Sequence, residues 1–268
     1  DPRWLDQADA DGVTMRAAME HAGLCIDDIP NIARDPARYL GFVEVHIEQG
    51  PVLNELDLPL GVVTSINGSV RHVGELVGMA SHAGTTPPSA RRDALVCAAR
   101  IIDLVDRMMR ARGEAGRGTV GRLVVLPNSS NVIPGEVRFS VEFRHPAAAE
   151  IDRLDAQFPR EAGFIARDCG VELQITQLFK IPAQPFDAEC VDLVRQAANR
   201  LGYSSREIIS GAAHDAVYVA RHIPTAMVFT PCKDGLSHNE AESIQPGEAT
   251  AGCQVLFEAV VARANRAR

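Results

Sequence analysis

Between residues 70 and 179 the hydrophobic pattern changes period in a set succession, and that succession limits the folds open to the chain more than any other feature. Residues 70–79 read as a strand. Residues 92–109 then place Leu95, Ala98, Ile101, Ile102, Val105, Met108 and Met109 at three- and four-residue spacing, the stripe of an amphipathic helix. Two further strands follow over 119–126 and 132–143, each closed by turn residues. A second helical stripe through Ile151, Leu154 and Phe158 covers 148–167, where Pro159 is expected to kink or interrupt the helix. A last strand spans 171–179. The order β-α-β-β-α-β over about 115 residues is that of a ferredoxin-like two-layer domain.

The flanks have a different texture. Asp11 is a candidate N-cap for a short helix within 9–23 that ends near Gly23. Residues 39–48 alternate strictly, with Phe42, Glu44, His46 and Glu48 on one face of a strand and Val43, Val45 and Ile47 on the other. After Pro182, Asp187 caps a helix to about Leu201 with Gly202 at its end, a short helical stretch follows His214, and 225–230 is an apolar run of the kind found in buried parallel strands. A final helix covers about 246–265. The expectation is an α/β chain in which a middle domain, 66–181, is inserted into a second α/β domain made of 1–65 and 182–268.

Composition narrows the function classes. The chain has 268 residues, a net charge of −8 and 46% hydrophobic residues, enough for a large core and against wholesale disorder. An acidic balance does not suit a nucleic-acid surface, which needs clustered Lys and Arg. No apolar run reaches the ~18–20 residues of a membrane span. The six cysteines show no C-x-x-C spacing, so neither a disulfide framework nor a zinc knuckle is indicated, and a reducing cytoplasm fits.

Four polar clusters could carry chemistry. In Glu44-Val-His46-Ile-Glu48-Gln49 a strand aims an imidazole and two carboxylates to one side, as a metal ligand with carboxylate support requires, and a solvated strand face has the same spacing. His82, among small and hydroxyl residues at 78–87, suits an imidazole that donates to a substrate oxygen; alternatively Thr85 or Thr86 caps the next helix and His82 is incidental. Asn131 and Arg144 sit at the two ends of one expected strand, where an amide and a planar guanidinium can hold a carboxylate, or where a turn and a surface Arg have no such role. The fourth pairs Gly211-Ala-Ala-His214-Asp215 with Asp234-Gly-Leu-Ser-His238-Asn239-Glu240-Ala-Glu242; His238 lies just after the 225–230 strand, in the loop position where open α/β sheets place their sites, and a loop His among acids is equally a solvated turn.

Six stretches in register resemble the hydantoinase/carbamoylase family of amidases: His-Ile-Glu-Gln-Gly-Pro at 46–51, His-Ala-Gly-Thr-Thr-Pro at 82–87, Arg-Arg-Asp-Ala-Leu at 91–95, Asn-Val-Ile-Pro-Gly at 131–135, Gly-Ala-Ala-His-Asp at 211–215 and Ser-His-Asn at 237–239. That family includes N-carbamoyl-L-amino acid hydrolases, allantoate amidohydrolases and dinuclear-metal β-ureidopropionases. The resemblance implies two divalent metal ions, zinc or manganese, with His46 a ligand of one and His238 a ligand of the other. It implies that Gln49, Asn131 and Arg144 hold a small-molecule substrate, with Arg144 on its carboxylate, and it places His214 on the substrate side as well. Residues 66–181 become a lid and dimerisation domain, through which His82 reaches the active site of a second subunit and stabilises an oxyanion. Glu142 stands where Asp is common in the family.

The family also carries, ahead of the segment matching 9–23, a metal-binding His, a bridging Asp and a Glu-Glu pair, and no stretch of this sequence matches them. The expectation is therefore the C-terminal portion of a larger amidase, with weak metal binding and little hydrolase activity on its own. Asp at position 1 in place of Met agrees with it. A dimer-forming module without catalysis, and a related dipeptidase or aminoacylase, are the alternatives.

Overall fold

Two sheets carry most of the regular structure in the computed structural model, which describes residues 2–9 and 11–266. The chain divides into two compact units, Asp1–Tyr39 and Leu40–Arg268. The first holds α1 (Met15–His21), which starts later than the cap expected at Asp11. Thr14 caps it instead, its hydroxyl accepting the Ala17 N–H at 3.1 Å, while the Asp9 carboxylate accepts from the N–H groups of Asp11 and Val13. Gly12, at φ +80°, turns the chain between the two motifs. Ala10, inside the expected helix span, lies outside the described residues, as do the ends of the expected flanking domain at 1 and 267–268.

The second unit runs β1 (Phe42–Ile47), α2 (Val52–Glu55), β2 (Leu60–Ile66), β3 (Gly68–Val77), β4 (Ser81–His82), α3 (Ala94–Arg110), β5 (Arg117–Leu126), β6 (Val132–Ile133), β7 (Glu136–His145) and α4 (Ala148–Asp168). It continues with β8 (Glu172–Ile181), β9 (Gln184–Pro185), α5 (Ala188–Arg200), β10 (Ser205–Ser210), α6 (Ala216–Val219), β11 (Thr225–Thr230) and α7 (Pro246–Arg266). One sheet has the order β1-β11-β2-β10, with β9 paired to β2. β11 is buried along its whole length, parallel to β1 but antiparallel to β2. Its apolar run therefore reflects burial on both faces rather than strand direction. α5 and α7 pack on this sheet, burying Leu193, Val194, Ala197, Val255 and Ala259. Asp187 caps α5 by accepting the Cys190 N–H at 2.9 Å, as its place in the sequence leads one to expect.

The other sheet has the order β5-β7-β3-β8, antiparallel throughout. α3 and α4 cover one face, burying Val70, Leu76, Ile101, Leu104, Phe143, Leu154 and Phe158, each worth about 2 kcal/mol on removal from water. Pro159 does not interrupt α4. Phe158 and Ala162 bury on either side of it, and that packing carries the helix across the one missing N–H bond. His72 of β3 lies among these side chains, its Nε2 2.9 Å from Asp155 Oδ1 on α4, and Lys180 of β8 bridges Asp155 and Asp152.

The single strand expected over 132–143 is two. Pro134 has no N–H to continue a ladder, so β6 pairs with β4, and β7 begins beyond Gly135 in the larger sheet. Asn131 and Arg144 thus belong to different sheets. Neither Thr85 nor Thr86 caps α3; Asp93 does, accepting from Leu95 and Val96. Among the described residues no helix is long and apolar enough to cross a membrane, and all six cysteines are free.

Candidate functional site

The polar end of β1 is the starting point. His46 Nδ1 lies 2.8 Å from the Ile47 carbonyl, which can only accept, so Nδ1 carries the proton and Nε2 keeps its lone pair. Its ring meets that of His214 edge-on, with centroids 4.5 Å apart. His214 is buried behind it. Ser210 gives its hydroxyl proton to the Ala212 carbonyl, so its oxygen accepts from His214 Nε2 at 2.9 Å. Burial, with the neighbouring His46 ring second, pushes the His214 pKa down to about 4, and the His214 imidazole is neutral near pH 7. Glu44 Oε1 lies 4.0 Å from His214 Nδ1, and its other oxygen accepts the Ala216 N–H at 3.0 Å. Burial raises the Glu44 pKa above the usual carboxylate value, with the Ala216 N–H opposing.

Glu48 has a structural task. Its two oxygens accept the N–H groups of Val52 and Leu53 at 3.0 and 2.7 Å, capping α2 just beyond the strand. Gln49 follows, and its Nε2 donates to Ser237 Oγ at 2.9 Å. Both Gln49 and His238 hold left-handed φ values, 58° and 56°, at a cost of about 1 kcal/mol each. Glu242 fixes the second loop: the Ser237 hydroxyl and the His238 N–H, at 3.1 Å, hold its carboxyl below the usual range. Ser210 is the supporting residue that sequence reasoning missed; Ser237 and Glu242 lie in the polar cluster around His238.

Gln49, Arg144 and His238 line one cleft of about 1000 Å³, together with Asn67, Arg117 and Phe229. Arg144 projects from β7. Its Nε donates to Glu142 Oε1 at 2.6 Å and its Nη1 to the Gly211 carbonyl at 2.7 Å. Arg117 stands directly opposite Arg144 in the β5–β7 register. The cleft lining as a whole carries three arginines, Arg117, Arg144 and Arg206, and three glutamates, Glu48, Glu114 and Glu207.

His82 and Asn131 do not line this cleft. β4 and β6 set them side by side, with His82 opposite Val132 and the Asn131 carbonyl accepting the Ala83 N–H at 3.0 Å. His82 is exposed. Its Nδ1 accepts from Gly84 and Thr85 N–H at 3.0 and 3.2 Å, which leaves the proton on Nε2 as a free donor. The Arg-Arg-Asp stretch supports this turn: Arg91 donates to the Ala83 and Thr86 carbonyls, and Asp93 caps α3.

The residues present do not amount to a dinuclear metal site. Among the described residues no three His, Cys, Asp or Glu side chains converge as a metal ion would require. The lone pair on His46 Nε2 suits a ligand; both oxygens of Glu48 accept backbone N–H groups, whereas Glu44 has one oxygen so engaged and the other 4.0 Å from His214 Nδ1.

Known proteins agree with this framework. The profile described as Peptidase family M20/M25/M40 matches residues 15–262. The chain is 38% identical over 263 residues to an N-carbamoyl-L-amino acid amidohydrolase of Geobacillus stearothermophilus, a match covering 97% of this chain and 63% of that protein. It is 33% identical over 251 residues to an allantoate amidohydrolase of Bacillus subtilis, covering 93% of this chain and 60% of that one. The crystal structure of a hydantoinase/carbamoylase family amidase from Burkholderia vietnamiensis matches with a TM-score of 0.88 at 41% identity, over 97% of this chain and 62% of that one. The chain thus spans about three fifths of the length of these proteins. The resemblance carried by the six stretches is borne out, and the chain belongs to peptidase family M20/M25/M40.

Proposed function

We propose that this chain carries the substrate-holding part of an enzyme that hydrolyses a linear amide or ureido C–N bond in a small molecule bearing a carboxylate, an N-carbamoyl-L-amino acid or allantoate. The observation that carries the reading is Arg144 on the wall of a cleft it shares with Gln49 and His238. Arg144 supplies the charge for the carboxylate. Gln49, whose amide nitrogen is held by Ser237, keeps its oxygen for a ureido N–H. The names of the relatives support both substrate classes.

His46 and His238 are proposed as two donors of a dinuclear centre holding zinc or manganese, whose other donors are not among the described residues. His214 serves the substrate side from behind His46, by fixing that ring. Residues 66–181 are proposed as a lid through which two copies pair, and His82 as an oxyanion donor delivered to the partner's cleft. Its free Nε2–H and its separation from its own cleft support this, and Asn131 would travel with it.

Calorimetric titration with N-carbamoyl-L-alanine and with its carboxamide tests the reading. The acid is expected to bind in preference to the amide, and Arg144→Ala to weaken the acid about tenfold or more while leaving the amide unchanged. An acid bound no better than its amide by the unaltered chain would sink the assignment. The shortage of convergent metal donors favours a second reading, a dimer-forming module without catalysis. That module has no reason to prefer the acid, so the same titration separates the two.

A further inference from the structure

The Arg144 guanidinium is held on two sides. Its Nε and Nη2 lie 2.6 and 2.5 Å from Glu142 Oε1, and Nη1 donates to the Gly211 carbonyl at 2.7 Å. The other oxygen of Glu142 accepts from Arg71 Nε at 2.7 Å and also from its Nη2. Arg71 in turn lies over the Phe179 ring, 4.9 Å from its centroid. Backbone register fixes this arrangement, because Arg71 of β3 is directly opposite Glu142 of β7, and Arg144 is two residues further along the same face.

The two partners of Arg144 differ in kind. Glu142 is charged, its side chain is 14% exposed, and a second arginine holds its far oxygen. Gly211 offers a neutral carbonyl in the loop before α6. An arriving carboxylate makes a stronger bond to a guanidinium than a neutral carbonyl does, but gains nothing by replacing a carboxylate already in place. Arg71 keeps the local balance positive, two guanidiniums to one carboxylate, so Glu142 does not cancel the attraction for an anion.

We propose that Glu142 is a positioning residue: it retains the Nε edge of Arg144 throughout, and the substrate carboxylate displaces only the Gly211 carbonyl from Nη1. The proposal rests on the reading of Arg144 as the carboxylate-holding group. A role limited to partial charge neutralisation makes the opposite prediction, since removing the negative charge would then tighten anion binding.

The test uses the same pair of probes, N-carbamoyl-L-alanine and its carboxamide. Glu142→Gln is expected to weaken the acid about tenfold without changing the amide, and Glu142→Asp, which keeps the charge, to stay within about threefold of the unaltered chain. Unchanged or tighter acid binding by Glu142→Gln overturns the proposal. A second readout needs no substitution: in the ¹⁵N-labelled chain the Arg144 Nε–H resonance is expected to persist through saturation with the acid, and its loss overturns the proposal whether or not the variants fold. If Arg144→Ala keeps the preference for acid over amide, the carboxylate reading itself fails, an outcome distinct from failure at Glu142 alone.

Discussion

His72 shows how one residue can make the stability of the four-stranded sheet depend on pH. It is 2% exposed, and burial pushes its pKa below the usual imidazole value, with the Asp155 bond opposing and Lys180 adding to the lowering. Nε2–H then donates to Asp155, and Nδ1 has no partner among the described residues. In the unfolded chain this imidazole takes up a proton near 6.5, whereas in the folded chain it does so only at lower pH. Between the two values unfolding binds a proton, so the stabilisation is complete above 6.5 and is lost as pH falls through the folded value. The urea midpoint is expected to fall as pH drops from about 7.5 to about 5.5, and to fall less in His72→Gln. Equal slopes in the two proteins would remove His72 as the cause.

At the scale of elements, the loop carrying His238 is seated by one glycine. Gly235 has φ +67°, and a Cβ there would lie 2.6 Å from both the N and Cα atoms of Pro51. Neither backbone can yield cheaply, because Glu48 ties the following helix and Gln49 reaches across to Ser237. Gly235→Ala is expected to cost about 1–3 kcal/mol by thermal unfolding and to weaken ligand binding by moving His238 and Gln49 apart. An unchanged melting temperature would mean that the loop seats itself by other means. The contact joins residues about two thirds of the chain apart, and no local pattern in the sequence signals it. Elements with local signals were legible: the Asp187 cap and Gly202 bound α5, and β11 is a short apolar run between polar segments. β2 and β10 were not expected, since Gly61, Thr64 and Ser65 dilute the alternation of one and the polar start of the other reads as loop. The site divides in the same way. His46, Gln49, Arg144 and His238 stand out as polar interruptions in matched stretches, but the Gln49–Ser237 bond spans 188 positions and Arg144–Gly211 spans 67. Such pairings are set by the packing of loops and sheets, not by local pattern. Glu48 was indistinguishable from a ligand because a carboxylate at a strand end looks the same whether it faces a metal or a helix N-terminus.

At the scale of the whole molecule, the wall proposed to face the substrate is more completely built than the side proposed to hold metal. Arg144, Glu142, Arg71 and Phe179 are interlocked by sheet register, and the Gln49–Ser237–Glu242 chain ties two loops together. Against this stand two candidate metal ligands, His46 and His238, where a tetrahedral zinc site takes about four donors and a dinuclear one more. Affinity rises steeply with donor count, because each added donor replaces a water at little further entropic cost once the first is placed. Two imidazoles on separate elements therefore bind a divalent ion weakly; Glu48 cannot make up the deficit without breaking its bonds to Val52 and Leu53, and Glu44, with one oxygen on the Ala216 N–H, adds one carboxylate oxygen at most. Recruiting Glu48 would uncap α2, which carries the fully buried Leu53. The chain, equilibrated with zinc or manganese and passed through a desalting column, is expected to retain well under about one equivalent of either ion. In the same sample, the preference for N-carbamoyl-L-alanine over its carboxamide should be unaffected by a chelator, since Arg144 and Glu142 hold their geometry without metal. Retention of two equivalents would show that donors converge in solution that do not converge here, and loss of the acid preference on chelation would make the anion wall depend on the metal after all.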